Sequence, residues 1–165
     1  MPQVAVEKAH EGSEKSGSLS TRIGNLVEKI RERAFKFFQD RGSRHGSDLE
    51  DWLKAERELI WIPEADLVET DGRFEVQVAV PGFQASEVSV SASPDSLVVS
   101  ADSMHRHDQT KGDVRFCEFG ERNLFRRFDL PAPINVEKVT ANLDKGVLKL
   151  TAEKADSGKQ AAAAA

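Results

Sequence analysis

The residues of this chain best suited to chemistry fall in one charged stretch, "DSMHRHDQTKGDVRFCEFGER". His105 and His107 stand one residue apart, so two imidazoles could reach one metal, and Asp102, Asp108 and Asp113 lie nearby. Zinc sites, however, draw three or four protein ligands from Cys and His at set spacings, and no Cys or third His lies at ligand spacing here. The stretch reads as a charged, solvated loop. Cys117 is the sole cysteine, with Arg115 and Arg122 near it in the chain. A reactive thiolate needs cationic neighbours in space, which adjacency in sequence does not supply. There is no GxGxxG, P-loop or GxSxG, and the glycines of "GDVRFCEFG" flank a strand-like run rather than a phosphate cradle. The expectation is a protein that is not an enzyme, holds no metal or cofactor and needs no ATP.

Composition narrows the class further. A length of 165 residues suits one domain plus an arm. At 39% hydrophobic and 31% charged residues, the chain reads as soluble with a modest core. No run approaches the roughly 18 apolar residues of a membrane span, and the N-terminus has no basic region leading into an apolar one. One cysteine permits no intrachain disulfide, so a reducing cytoplasm is the expected compartment. Net charge is −5, and it lies in residues 62–153, where sixteen acidic side chains face ten basic ones. Nucleic-acid affinity comes mainly from Lys and Arg neutralising phosphates, so no nucleic-acid partner is expected.

Four segments differ in texture. Residues 1–18 are polar and read as a disordered arm. Residues 19–61 carry helical spacing: Ile23, Leu26, Val27, Ile30, Ala34, Phe37 and Phe38 recur every three or four positions. Ser20 is the candidate N-cap and Gly42 the candidate stop. Ser47-x-x-Glu50 has a capping-box pattern, Leu49, Trp52, Leu53 and Leu59 follow, and Pro63 ends the second helix. About forty residues cannot stabilise such a hairpin alone, so its narrow apolar face should dock on the strand domain, another copy or a non-native protein. Packing within the molecule or a dimer is the commoner fate of such a face.

From residue 66 the apolar period is two. Phe74, Val76, Val78 and Val80 share one face, followed by Val88, Val90 and Ala92, then Leu97, Val99 and Ala101, then Leu124, Arg126 and Phe128, then Val139, Ala141 and Leu143, then Val147, Leu148 and Leu150. Pro81-Gly82, Pro94-Asp95, Pro131-x-Pro133 and Lys145-Gly146 mark the turns. Short alternating strands at this spacing predict an antiparallel β-sandwich over 62–153, mainly β overall and preceded by the helical hairpin arm. The loop of some twenty residues is too long to be idle, and "DVRFCEF" within it could be one more strand. Residues 154–165 form a flexible tail.

The strand segment resembles the alpha-crystallin domain of the small heat-shock proteins. The resemblance rests on "IPEADLVETDGRFEVQVAVPGF", "EVSVSASPDSLVVSADS" and "LFRRFDLPAPINVEKVTANLDKGVLKL" in family order, with Pro81, Gly82, Leu130, Pro131, Ala141, Gly146, Val147 and Leu148 as signature positions. Residues 21–60 resemble a short helical domain of unknown function found in bacterial proteins, with "IRERAFKFFQDRG" and "LEDWLKAERELI" as its halves, which suggests a bacterial source.

The resemblance implies an immunoglobulin-like β-sandwich and an ATP-independent holdase that binds unfolding client proteins under stress. It also implies a homodimer in which the loop strand pairs with the partner's sandwich and covers an edge that would otherwise template aggregation. Dimer-interface candidates are then Val114, Phe116, Glu118, Phe119 and Arg126. Arg126 would pair with Glu118 or Glu121, unless it reaches solvent at an edge. An interchain disulfide at Cys117 is a further alternative. Client-binding candidates are Ile30, Phe35, Phe37, Phe38 and Trp52. Family members commonly carry an Ile-x-Ile-like latch after the last strand, which "TAEKADSGKQAAAAA" lacks, so larger assembly by that route is not implied. Val4 and Val6 form a valine version at the N-terminus, and the groove they would fill is expected near "VSVSA" and "VLKLTA". The competing function is a partner-specific scaffold module like the CS-domain co-chaperones, with the hairpin docking one native protein.

Overall fold

A computed structural model describes residues 2–8, 17–103, 111–115 and 122–156, with only the backbone of residues 17, 18 and 122. The arm contains a short strand β1 (Val6–Lys8), helix α1 (Gly17–Asp40), helix α2 (Asp48–Leu59) and strand β2 (Ile60–Trp61). The sandwich follows as β3 (Ala65–Glu69), β4 (Arg73–Ala79), β5 (Val88–Ser93), β6 (Ser96–Ser103), β7 (Arg122–Asp129), β8 (Ile134–Asp144) and β9 (Val147–Lys154).

Helix α1 starts at Gly17, ahead of the expected cap at Ser20. It ends where glycine permits. Gly42 has φ +83, its N–H donates to Gln39 O, and Ser43 N–H donates to Phe38 O, both at 3.0 Å. These two bonds form a Schellman motif that uses carbonyls otherwise left unpaired. Ser47 does precede α2, but its side chain makes no capping bond, so the capping box of the sequence pattern does not form. Asp48, Glu50 and Asp51 in the first turn complement the helix dipole instead. Asp51 is drawn back to the loop, where Arg41 donates to its carboxylate from Nη1 and to Arg44 O from Nε and Nη2. That bond raises the pKa of Arg41. Ile30 and Ala55 are the buried apolar residues of the hairpin.

The sandwich packs a five-stranded sheet, ordered β1-β5-β6-β7-β2, on a four-stranded sheet, ordered β3-β4-β9-β8. Pairings within β4–β9, β8–β9, β5–β6 and β6–β7 are antiparallel, while β1 on β5 and β2 on β7 are parallel. Alternation places Phe74, Val76, Val78, Val90, Leu97, Val99, Leu148 and Leu150 almost fully inside. Strand β8 carries two apolar phases, Ile134 and Val136, then Val139, Ala141 and Leu143. A register shift between Ile134 and Val139 lets both phases face inward.

The β8–β9 turn has φ +48 at Lys145 and +78 at Gly146, the backbone of a tight hairpin. Val80 N–H donates to Gly146 O at 2.8 Å, and a Cβ on Gly146 would stand 3.4 Å from Pro81 Cα. Pro81 and Gly146, far apart in sequence, therefore seat the two turns on each other.

Candidate functional site

Three surfaces could engage another chain. The first joins the two sheets. Residues 2–8 lie along the groove between β5 and β8. Val6, Glu7 and Lys8 pair in parallel with Val90, Ser91 and Ala92, and Val90 N–H donates to Ala5 O at 3.3 Å. On the other side Gln3 bridges Asn142, Val4 N–H donates to Ala141 O at 3.0 Å and Leu143 N–H donates to Pro2 O at 3.1 Å. Val4 is 2% exposed and part of the sandwich core, and Val6 packs against that core. Lys8 closes the segment with a 2.6 Å ion pair to Glu137.

The segment expected to be disordered is thus ordered over residues 2–8, because Val4 finds a pocket and each neighbouring sheet offers unpaired backbone groups. The groove wall also differs from expectation. "VLKLTA" belongs to β9, enclosed between β4 and β8, so β8 is the strand that meets Val4. Burying the Val4 side chain contributes about 1.5–3 kcal/mol, which the conformational entropy lost on ordering the segment opposes.

The second surface is β3. It pairs only with β4 among the described residues, leaving its outer edge open. Leu67 and Val68 are 40% and 53% exposed, and Ile62 just before the strand is 64% exposed. Adjacent strand residues point to opposite faces, so an apolar Leu67-Val68 pair in an acidic strand cannot be buried by one layer. That signal was present in "EADLVET". Of the dimer-interface candidates, Val114 is described: it is exposed, and residues 113–115 are outside any strand. Phe116, Glu118 and Phe119 lie outside the described residues, as do Glu121, Cys117, His105 and His107. Arg126 is half-buried on the core side of β7; its Nη1 donates to Pro63 O at 3.4 Å and its guanidinium lies over the Phe128 ring. It braces the linker of its own chain.

The third surface is the hairpin. The structure separates the client-binding candidates by environment. Ile30, at 3% exposure, is buried and offers nothing to a partner while the hairpin is closed. Phe37 is half-buried with Arg33 and Lys54 over its ring, and Phe38 is half-buried with Arg41 over its ring. Cations on aromatic faces stabilise by their charge and also shield those faces. Trp52 is half-buried. Phe35 is the exposed candidate, at 56%, tilted against Phe38. Ile23, Leu49 and Leu53 are exposed as well and were not singled out by sequence, because helical period alone does not tell which side of a stripe is covered.

Among the described residues no group of His, Cys, Asp and Glu could hold a metal ion, and no helix is long and apolar enough to cross a membrane. A local bond also tunes a carboxylate in the sandwich. The Ser93 hydroxyl donates to Asp95 in the β5–β6 turn and lowers its pKa below the usual carboxylate range.

Residues 66–164 match the model of the Hsp20/alpha crystallin family, and residues 26–59 match that of a protein of unknown function, DUF2934. The chain is 24% identical over 98 residues to small heat shock protein C2 of Rickettsia felis, covering 59% of this chain and 64% of that one. It is 33% identical over 93 residues to the 18.8 kDa class II heat shock protein of Ipomoea nil, covering 54% and 56%. In each case the match spans less than two thirds of the relative. Heat shock protein 16.0 of Schizosaccharomyces pombe superposes with a TM-score of 0.50 at 26% identity, over 58% of this chain and 89% of that one.

Proposed function

We propose, for a chain that belongs to the Hsp20/alpha crystallin family, the work of an ATP-independent holdase: it binds apolar surface on unfolding proteins and keeps them from aggregating. The observation that carries this is the pairing of a closed family sandwich with a hairpin that leaves Phe35, Ile23, Leu49 and Leu53 in solvent. Each Å2 of apolar surface removed from water stabilises by roughly 25 cal/mol without sequence selectivity, which suits many clients. Phe35 is the first contact, and Phe37, Phe38, Trp52 and Ile30 become available as the hairpin loosens. We place the work in the cytoplasm.

Self-association supplies the second part of the proposal. The open edge of β3, flanked by Leu67 and Val68, takes the loop strand of a second copy, with Val114, Phe116, Glu118 and Phe119 at the contact and Arg126 near it. An edge strand with apolar flanks is a template for strand addition. Val4 and Val6 serve as the N-terminal latch. They close the groove of their own chain or, by exchange, that of a neighbour.

The experiment is light scattering of two unrelated heat-aggregating clients, without ATP, across a titration of this chain. Suppression of both at near-equimolar subunits or below is expected. No suppression of either, with this chain still folded, would overturn the holdase and favour a partner-specific scaffold module docking through the hairpin.

A further inference from the structure

The first three turns of α1 lean over the β6–β7 pair and border a half-open cavity of about 120 Å3. Its wall is apolar at Leu19, Ile23, Leu26 and Phe125, and Arg22 and Lys29 bring two cations to it. Asn123 also lines it. That side chain is 9% exposed, and its Nδ2 is shielded from water with no hydrogen-bond partner. Buried polar groups are normally paired, and leaving an amide donor unmade inside a protein is costly.

We propose that this cavity is a binding site for a small apolar carboxylate, a compact ring or short chain bearing one acid group. The Asn123 amide donates to a carboxylate oxygen. Arg22 supplies the opposite charge, having other N–H groups besides the one that donates to Ser100 Oγ at 3.2 Å. The apolar body lies against Ile23, Leu26 and Phe125. The volume selects size, because apolar cavities of roughly 150 Å3 hold a benzene-sized group. Water alone would satisfy Asn123 but gains nothing from the apolar wall. Asp102 also lines the cavity and, like Arg22, is exposed, so both charges are screened alike; with the half-buried Lys29 the lining carries two cations against one anion. The site involves neither the β5–β8 groove nor the open β3 edge, and it shares only Ile23 with the exposed hairpin residues of the holdase proposal.

Ligand-observed fluorine NMR on the full chain with 4-fluorobenzoate tests it. Saturable binding at one site per chain is expected, displaced by unlabelled benzoate. Asn123→Leu and Arg22→Gln should each weaken binding by about tenfold, the scale of one charge-assisted hydrogen bond. Circular dichroism should find both variants folded, since one removes an unpaired amide and the other changes an exposed side chain. The neutral isostere 4-fluorobenzyl alcohol should bind at least tenfold more weakly. Absence of saturable binding, equal binding by the alcohol, or unchanged binding by Arg22→Gln, which leaves the cavity wall intact, would overturn the site.

Discussion

The five-stranded sheet ends on both sides in short strands supplied by the arm, β1 on β5 and β2 on β7. The four-stranded sheet is treated unequally: β8 is touched by residues 2–4, while the outer edge of β3 has no partner among the described residues. An edge strand exposes a row of backbone donors and acceptors that proteins cover or blunt. Here the arm covers both ends of the five-stranded sheet and one end of the other, and the uncovered edge carries Leu67 and Val68. The difference teaches that the N-terminal segment acts in the fold as an edge cover as well as a leader to the helices.

The sharpest break of this contrast compares a residue that cannot leave the sandwich with one that can. Leu150, 1% exposed and paired with Val76 and Ala141, is enclosed on all sides. Leu150→Ala should cost about 2–5 kcal/mol in urea unfolding. Val4 is equally buried, yet its segment can undock. The cost of Val4→Asp is therefore capped by the segment's own docking energy, at most about 1.5–3 kcal/mol. Its signature should be local: faster hydrogen exchange at the Val90 and Leu143 amides, whose acceptors are Ala5 O and Pro2 O, with the Val76 amide unchanged. Global loss of protection would instead make residues 2–8 part of the indivisible core. The smallest effect on stability belongs to the open edge. Val68→Lys changes an exposed residue and should shift folding by no more than about 0.5 kcal/mol. It should nevertheless lower the molar mass seen by light scattering after size exclusion. An unaltered mass would move the self-association surface away from β3.

Much of the sandwich was legible because its strands obey one rule. Val76 and Val78 face inward while Gln77 faces out, and period two reports that directly. The turns were legible for a similar reason: Gly42 and Gly146 hold positive φ, which few other residues adopt. What escaped was decided by contacts between distant segments. Nothing in "PQVAVEK" announces that Val4 meets Ala141, because the three apolar residues are too few to outweigh a polar context. Ser47 makes no capping bond, and the clasp between Arg41 and Asp51 ties α2 to the preceding loop, a contact that the capping-box pattern does not report. Phe37 and Phe38 read as apolar, yet Arg33, Lys54 and Arg41 lie over their rings, and of these the Lys54 contact depends on how the two helices pack.

Anchoring the arm at both ends has a consequence for competition. Strand β2 holds the arm against β7, and Trp61 stacks on Phe83 with ring centroids 6.4 Å apart. When β1 lets go, it stays tethered through the hairpin to the body that carries its groove. Short tethers give effective concentrations on the order of millimolar. A free peptide of similar sequence must reach that level before it takes the groove. A neighbouring copy held in the same assembly meets the requirement by proximity alone. Exchange of residues 2–8 between subunits should therefore follow local crowding of copies, and dilution of an assembled state should return each segment to its own chain.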